Sequence, residues 1–124
     1  MHQLMLGRLL LVALVATSAW LAIGAGSVAT TTAYVGVSET EWRITLGRAR
    51  APHGRIAFTI TNYGQDDHNV AIRRNGVQYA TTGRIPSGER RTLAVTLTRP
   101  GIYNVVCTLP GHRRLGMITQ LTVF

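Results

Sequence analysis

The stretch Cys107-Thr-Leu-Pro-Gly-His112-Arg-Arg-Leu-Gly-Met117 holds the only cysteine of the chain, with a histidine five residues on and a methionine five beyond that. A lone thiol has three ordinary uses: a reactive nucleophile, an intermolecular bridge, or a metal ligand. The bland alternative is a buried small hydrophobe. Spacing argues for ligation, because a thiolate, an imidazole and a thioether on one short loop converge with little loop entropy left to overcome. Apart from Met117, the methionines sit at positions 1 and 5, so a gap-filling role would not single out this position.

A second imidazole is needed from elsewhere. His2 belongs to the N-terminal segment, and His53 sits in the turn Pro52-His53-Gly54. His68, in Gln65-Asp-Asp-His-Asn-Val-Ala-Ile72, lies where a loop enters an apolar run, a position that reaches the end of a β-structure. The candidate metal set is therefore His68, Cys107, His112 and Met117, with His53 left as a surface residue. Two imidazoles, one thiolate and a distant axial thioether suit copper in either valence, the blue-copper electron-transfer arrangement. A zinc site that recruits Asp66 or Asp67 is the competing metal reading.

These residues need a rigid support. Trp42-Arg-Ile44-Thr-Leu46, Ile56-Ala-Phe58-Thr-Ile60, Thr92-Leu93-Ala-Val95-Thr-Leu97 and Leu121-Thr-Val123 alternate large apolar with polar residues. That period of two marks half-buried strands. Ala51-Pro-His-Gly54, Asn62-Tyr-Gly64, Asn75-Gly76, Pro86-Ser-Gly88, Arg99-Pro-Gly101 and Pro110-Gly111 punctuate them as turns. Asn75-Gly76 is a hairpin signal. Gly101–Cys107 reads as a strand with Tyr103, Val105 and Cys107 on one face, and Gly116–Phe124 as its neighbour with Met117, Thr119, Leu121 and Val123 on one face. The expectation is an all-β, Greek-key antiparallel β-sandwich of seven to eight strands, with a small barrel as the alternative and no helix after the N-terminus.

The first 29 residues read differently. Arg8 precedes an uncharged apolar run from Leu9 to Ile23, and Ser27-Val28-Ala29 offers the small-x-small pattern of a cleavage site. Residues 1–29 are expected to be a signal peptide or an N-terminal membrane anchor over residues 9–25, forming a hydrophobic helix. Residues 30–124 are expected to form a single copper-binding domain. Either reading puts the body outside the cytoplasm. No cysteine lies near the cleavage point, so a lipoprotein anchor is excluded.

His68-Asn69 before an apolar strand, then Gly101-x-Tyr103-x-x-x-Cys107, then Cys107-x-x-Pro-Gly-His112 and four residues to Met117, resembles the cupredoxin family of small type 1 blue copper proteins, such as plastocyanin, azurin, auracyanin and sulfocyanin. The resemblance spans about residues 34–124. It implies His68, Cys107 and His112 as equatorial ligands, Met117 as axial ligand, and Asn69 tying the two ligand loops together. It also implies His112 as the edge where electrons pass. One departure is Asp66-Asp67 directly before His68, which places negative charge near the metal.

The composition narrows the partners. Thirteen cations, every one arginine, face five acids for a formal net charge of +8. Such a surface steers toward acidic partners or anionic headgroups. The arginines are scattered, so no specific nucleic-acid groove is expected. Arg113 and Arg114, around an apolar patch of Leu109 and Leu115, are expected to dock an acidic redox partner, and the chain is expected to act as a monomer.

The leading function is thus a one-electron carrier using one copper ion and not an enzyme. Copper storage or delivery is the alternative, but the methionine-rich tracts or surface His-Met clusters that would favour it are missing. An oxidase or nitrite reductase would need HxH patterns and a second domain, and a two-copper site would need a second cysteine.

Overall fold

The computed structural model describes Gly24, Gly26 and residues 30–124. The expected signal or anchor, with its helix, lies outside the described residues. Among the described residues no helix is long and apolar enough to cross a membrane.

Among the described residues nine strands form two sheets: β1 Ala33–Thr40, β2 Arg43–Leu46, β3 Arg50–Ala51, β4 Gly54–Asn62, β5 Ala71–Arg74, β6 Val77–Thr81, β7 Arg90–Leu97, β8 Gly101–Val106 and β9 Ile118–Val123. One sheet runs β2-β1-β4-β7 and the other β3-β9-β8-β5-β6. The sandwich is as expected, but the sheets are mixed. β1 lies parallel to β4 and β3 parallel to β9, and the remaining pairs are antiparallel. Alternation reports which face of a strand is buried and is silent on its direction, so it gave no sign of these two pairings.

The alternation does its expected work. Val35, Val37, Ile44, Ile56, Phe58, Ile60, Val95 and Leu97 from the first sheet meet Ile72, Tyr103, Val105, Leu121 and Val123 from the second in one buried cluster. The Tyr103 ring is fully buried and its hydroxyl donates to the Arg99 carbonyl at 2.8 Å, so no polar group is stranded there. Asn75 and Gly76 both take positive φ (50° and 76°), the turn that matches the twist of the β5–β6 hairpin.

Two features of the fold carry the site. β8 and β9 are antiparallel neighbours from Gly101↔Val123 to Val106↔Ile118, so the ends of both strands reach one pole together. The β1–β2 hairpin, with Thr40 opposite Arg43, turns through only Glu41 and Trp42 at the same pole. Sequence reading takes Trp42 as the first residue of a strand; the register instead makes it half of a two-residue turn.

Candidate metal centre

Cys107 follows directly on β8, and its amide donates to the Met117 carbonyl at 3.0 Å, which closes the intervening loop on itself. Inside the loop, Gly111 takes φ 82° and starts the four-residue helix α1, His112–Leu115. That single turn is a helix where none was expected. The Met117 amide returns to the His112 carbonyl at 3.2 Å. Gly116 has two reasons to be glycine: φ is 123°, and a Cβ there would lie 3.0 Å from the Trp42 carbonyl oxygen. His112, Cys107 and Met117 are thus fixed by eleven residues of chain with almost no freedom.

The second loop, residues 63–70, is held by side chains. Asn62 is fully buried; its amide donates to the Asp66 and Ile85 carbonyls (2.8 Å each) and its oxygen accepts from the Gly64 amide at 2.8 Å. His68 then pairs its backbone with Ile85 as an isolated bridge. Asn69 joins the two loops: its amide donates to the Thr108 hydroxyl at 2.8 Å, and its oxygen accepts from the Thr108 amide at 2.7 Å. This is the tie that the resemblance implies for Asn69.

The result is a convergence of donors. One ligand atom each from His68, Cys107 and His112 lies within 4.8 Å of the others. His68 Nδ1 is 3.2 Å from His112 Nδ1, and Cys107 Sγ is 3.6 Å from His112 Nδ1. An ion held ~2.0 Å from imidazole nitrogen and ~2.3 Å from thiolate sulfur, in trigonal or tetrahedral geometry, puts such donors roughly 3.3–3.8 Å apart. The donor set fits one small transition-metal ion. Met117 is fully buried in the core at the foot of the same loop. His53 stands at the far end of β9, with Nδ1 3.0 Å from the Phe124 carbonyl oxygen, and takes no part. Asp66 and Asp67 are absent from the cluster, which leaves the zinc reading without its carboxylate.

A scan against family models matches residues 21–124 to the copper binding proteins of the plastocyanin/azurin family. The chain belongs to that family. No curated protein matches this cupredoxin. Among solved structures it is similar to reduced auracyanin from Roseiflexus castenholzii (23% identity, 77% of this chain and 98% of that one, TM-score 0.59). Rusticyanin from Thiobacillus ferrooxidans gives 20% identity over 75% of this chain and 77% of that one, at TM-score 0.64. A chain of a heme-copper terminal oxidase dimer gives 17% identity over 77% of this chain and 66% of that one, at TM-score 0.59. At these identities the likenesses establish the fold. With the family shown, His68, Cys107 and His112 are positioned to bind one copper ion.

The electrostatics at this pole hold one surprise. Burial pushes the Cys107 thiol above its ordinary range, against the Asn69 and Leu109 backbone groups, which act the other way. The negative charge beside His68 comes from neither aspartate. Asp67 pairs with Arg84 at 3.5 Å, and Asp66 uses its backbone. Glu41, from the hairpin turn, puts Oε1 3.2 Å from His68 Nε2 and accepts from the Gln65 and Asp66 amides at 2.7 and 2.8 Å. The Asp66 amide, chiefly, with the Gln65 amide and the His68 ring, holds the Glu41 carboxyl below its usual range against a partial desolvation that acts the other way.

Trp42, the other turn residue, sets its ring edge-on to His112 (centroids 4.8 Å apart) and to His68 (6.2 Å). Sequence reading missed both residues. The available signal was an acid and an indole between two alternating runs, in a turn that lacks the usual glycine or asparagine.

Proposed function

We propose that this cupredoxin is a type 1 blue copper protein acting as a one-electron carrier outside the cytoplasm, and that it is not an enzyme. His68 Nδ1, Cys107 Sγ and His112 Nδ1 are the equatorial ligands and Met117 is the axial one. The observation that carries the reading is the approach of two Nδ1 atoms and one sulfur to within bonding reach of a single ion. Bound copper supplies the one-electron couple. The chain supplies the rest: a thiolate for strong donation, a buried cysteine and methionine that exclude water, and two loops too tightly tied to rearrange when the charge changes.

Adding Cu(II) to the purified protein should give an intense blue thiolate-to-metal absorption that bleaches reversibly on one-electron reduction. A colourless product would reject the reading in favour of a zinc or structural site. Storage or delivery is disfavoured because a single enclosed site with a thiolate ligand releases its ion slowly.

The partner is an acidic redox protein. On the same loop Leu115 is exposed and Leu109 half-buried, and Arg73, Arg113 and Arg114 line the groove between this loop and the β5–β6 hairpin. A small apolar contact ringed by cations gives fast steering and fast release, which electron exchange requires. Changing Arg113 and Arg114 to Glu should slow transfer to an acidic partner and flatten its salt dependence. Unchanged second-order rates would remove the docking assignment.

A further inference from the structure

The β1–β2 turn makes a contact that the ligand set does not require. Glu41 comes from far away in sequence, yet its Oε1 is held by three donors at once: the Gln65 amide, the Asp66 amide and the His68 ring. The first two are backbone groups of the loop that delivers His68, so the carboxylate is fixed by the element it orients. Space has been left for it. A Cβ on Gly64 would collide with the Glu41 carboxylate and approach His68 Nε2 to 2.9 Å, so only glycine lets loop and acid come this close. Trp42, the next residue, closes over the edge of His112, so one turn touches both imidazoles.

The chemistry of this contact is specific. A carboxylate oxygen only accepts, so His68 Nε2 must carry the proton that it donates. An imidazole protonated on Nε2 presents a bare lone pair on Nδ1, the atom that faces His112 Nδ1 and the Cys107 sulfur. Histidine ligands are commonly oriented by such an outer partner, and a carboxylate partner raises the ring's basicity. It also leaves one negative charge beside the centre, which favours the more positive valence of the ion.

We propose that Glu41 is the positioning residue of the metal centre: it fixes the His68 tautomer and ring orientation and biases the couple toward the oxidised state. This rests on the copper reading above, and two measurements separate the failure of one from the failure of the other.

The first needs no metal. In the metal-free protein, nitrogen–proton correlation spectra should show neutral His68 protonated on Nε2. A proton on Nδ1 in the wild type overturns the assignment whatever the copper result. The second uses copper. Glu41→Gln keeps an oxygen for the ring proton and removes the charge, whereas Glu41→Ala removes both. Relative to wild type, Glu41→Gln should shift the oxidised-to-reduced equilibrium roughly tenfold toward the reduced form, a rise of about 59 mV for a one-electron couple, with copper affinity nearly unchanged. Glu41→Ala should also weaken copper binding by about tenfold or more.

A turn that served only to hold the fold together would leave the Glu41→Gln potential where it was. Oxidised-to-reduced equilibria within twofold of wild type in both variants, on a protein that turns blue, overturn the proposal and leave the carrier reading intact. A wild type that stays colourless overturns the carrier reading, while the tautomer measurement still decides the role of Glu41.

Discussion

The two loops that supply the imidazoles are built by opposite means. The Cys107–Met117 loop is mainly local: its ends are adjacent strands and its closing hydrogen bonds are its own, with Asn69 of the other loop holding Thr108 from outside. The 63–70 loop is assembled from afar. Glu41 and Ser87, which donates to the Gly64 carbonyl at 2.6 Å, reach it from two other elements, and Asn62 at the end of β4 ties its entry to the Ile85 carbonyl. Local closure makes a loop cheap to form and hard to distort. Remote closure makes it sensitive, because each distant partner is a point at which the position of His68 can be lost or tuned.

The assembled side also carries the largest unbalanced term. Glu39, inward-facing on β1 opposite Asn62, is fully buried, and neither carboxyl oxygen has a hydrogen-bond partner. Desolvation pushes it up to about 8 from 4.5. The folded state therefore keeps a proton that the unfolded chain releases. Stability is fullest below pH 4.5 and falls as pH rises from there through about 8, by on the order of 5 kcal/mol in all. Urea midpoints taken at pH 5 and pH 8 should show this fall in the wild type, and Glu39→Gln should flatten it. Parallel pH profiles for the two proteins would mean that the assembled side tolerates its buried acid without cost.

Asn62→Ala comes next. It strands the Asp66 carbonyl and the Gly64 amide and takes one of two donors from the Ile85 carbonyl, which should cost about 2–3 kcal/mol in denaturant unfolding and weaken copper uptake through His68. A loss under 1 kcal/mol would mean that the loop holds itself, and the contrast with the local loop would disappear.

On the local side the expected effect is a proton linkage. Burial keeps the Cys107 thiol protonated through neutral pH, and ligation needs the thiolate. Metal uptake must then release that proton, so apparent copper affinity should rise about tenfold per pH unit between pH 7 and 8. Competition titrations with a chelator of known affinity at both pH values would measure it. A pH-independent Kd would show that the thiol is already ionised.

The same contrast explains what the sequence made legible. Cys107, His112 and Met117 could be read because their spacing is a property of one loop, and the Gly101–Cys107 strand showed its buried face through Tyr103 and Val105. His68 required a choice among distant histidines, which its place at the entry to a strand decided. Glu41 could not be found that way, because nothing near position 41 signals that a loop more than twenty residues on will fold against it. The parallel β1–β4 pairing that brings Glu39 beside Asn62 was hidden for the same reason. Burial patterns are written along the chain, whereas partners are chosen across it.

The smallest effect tests the seam between the two loops. Asn69 and Thr108 share two bonds, one through the Thr108 amide and one through its hydroxyl. Asn69→Ala removes both and should cost about 1–2 kcal/mol, whereas Thr108→Ala keeps the amide bond and should cost about half as much. In a double-mutant cycle the coupling between the two side chains should then be roughly 0.5–1 kcal/mol. Measured on the metal-free protein, this coupling reports how far the chain alone holds the loops in place before any ion cross-links them. A coupling near zero would mean that the loops meet only through their shared ligand, and that the rigidity attributed to the protein arrives with the metal.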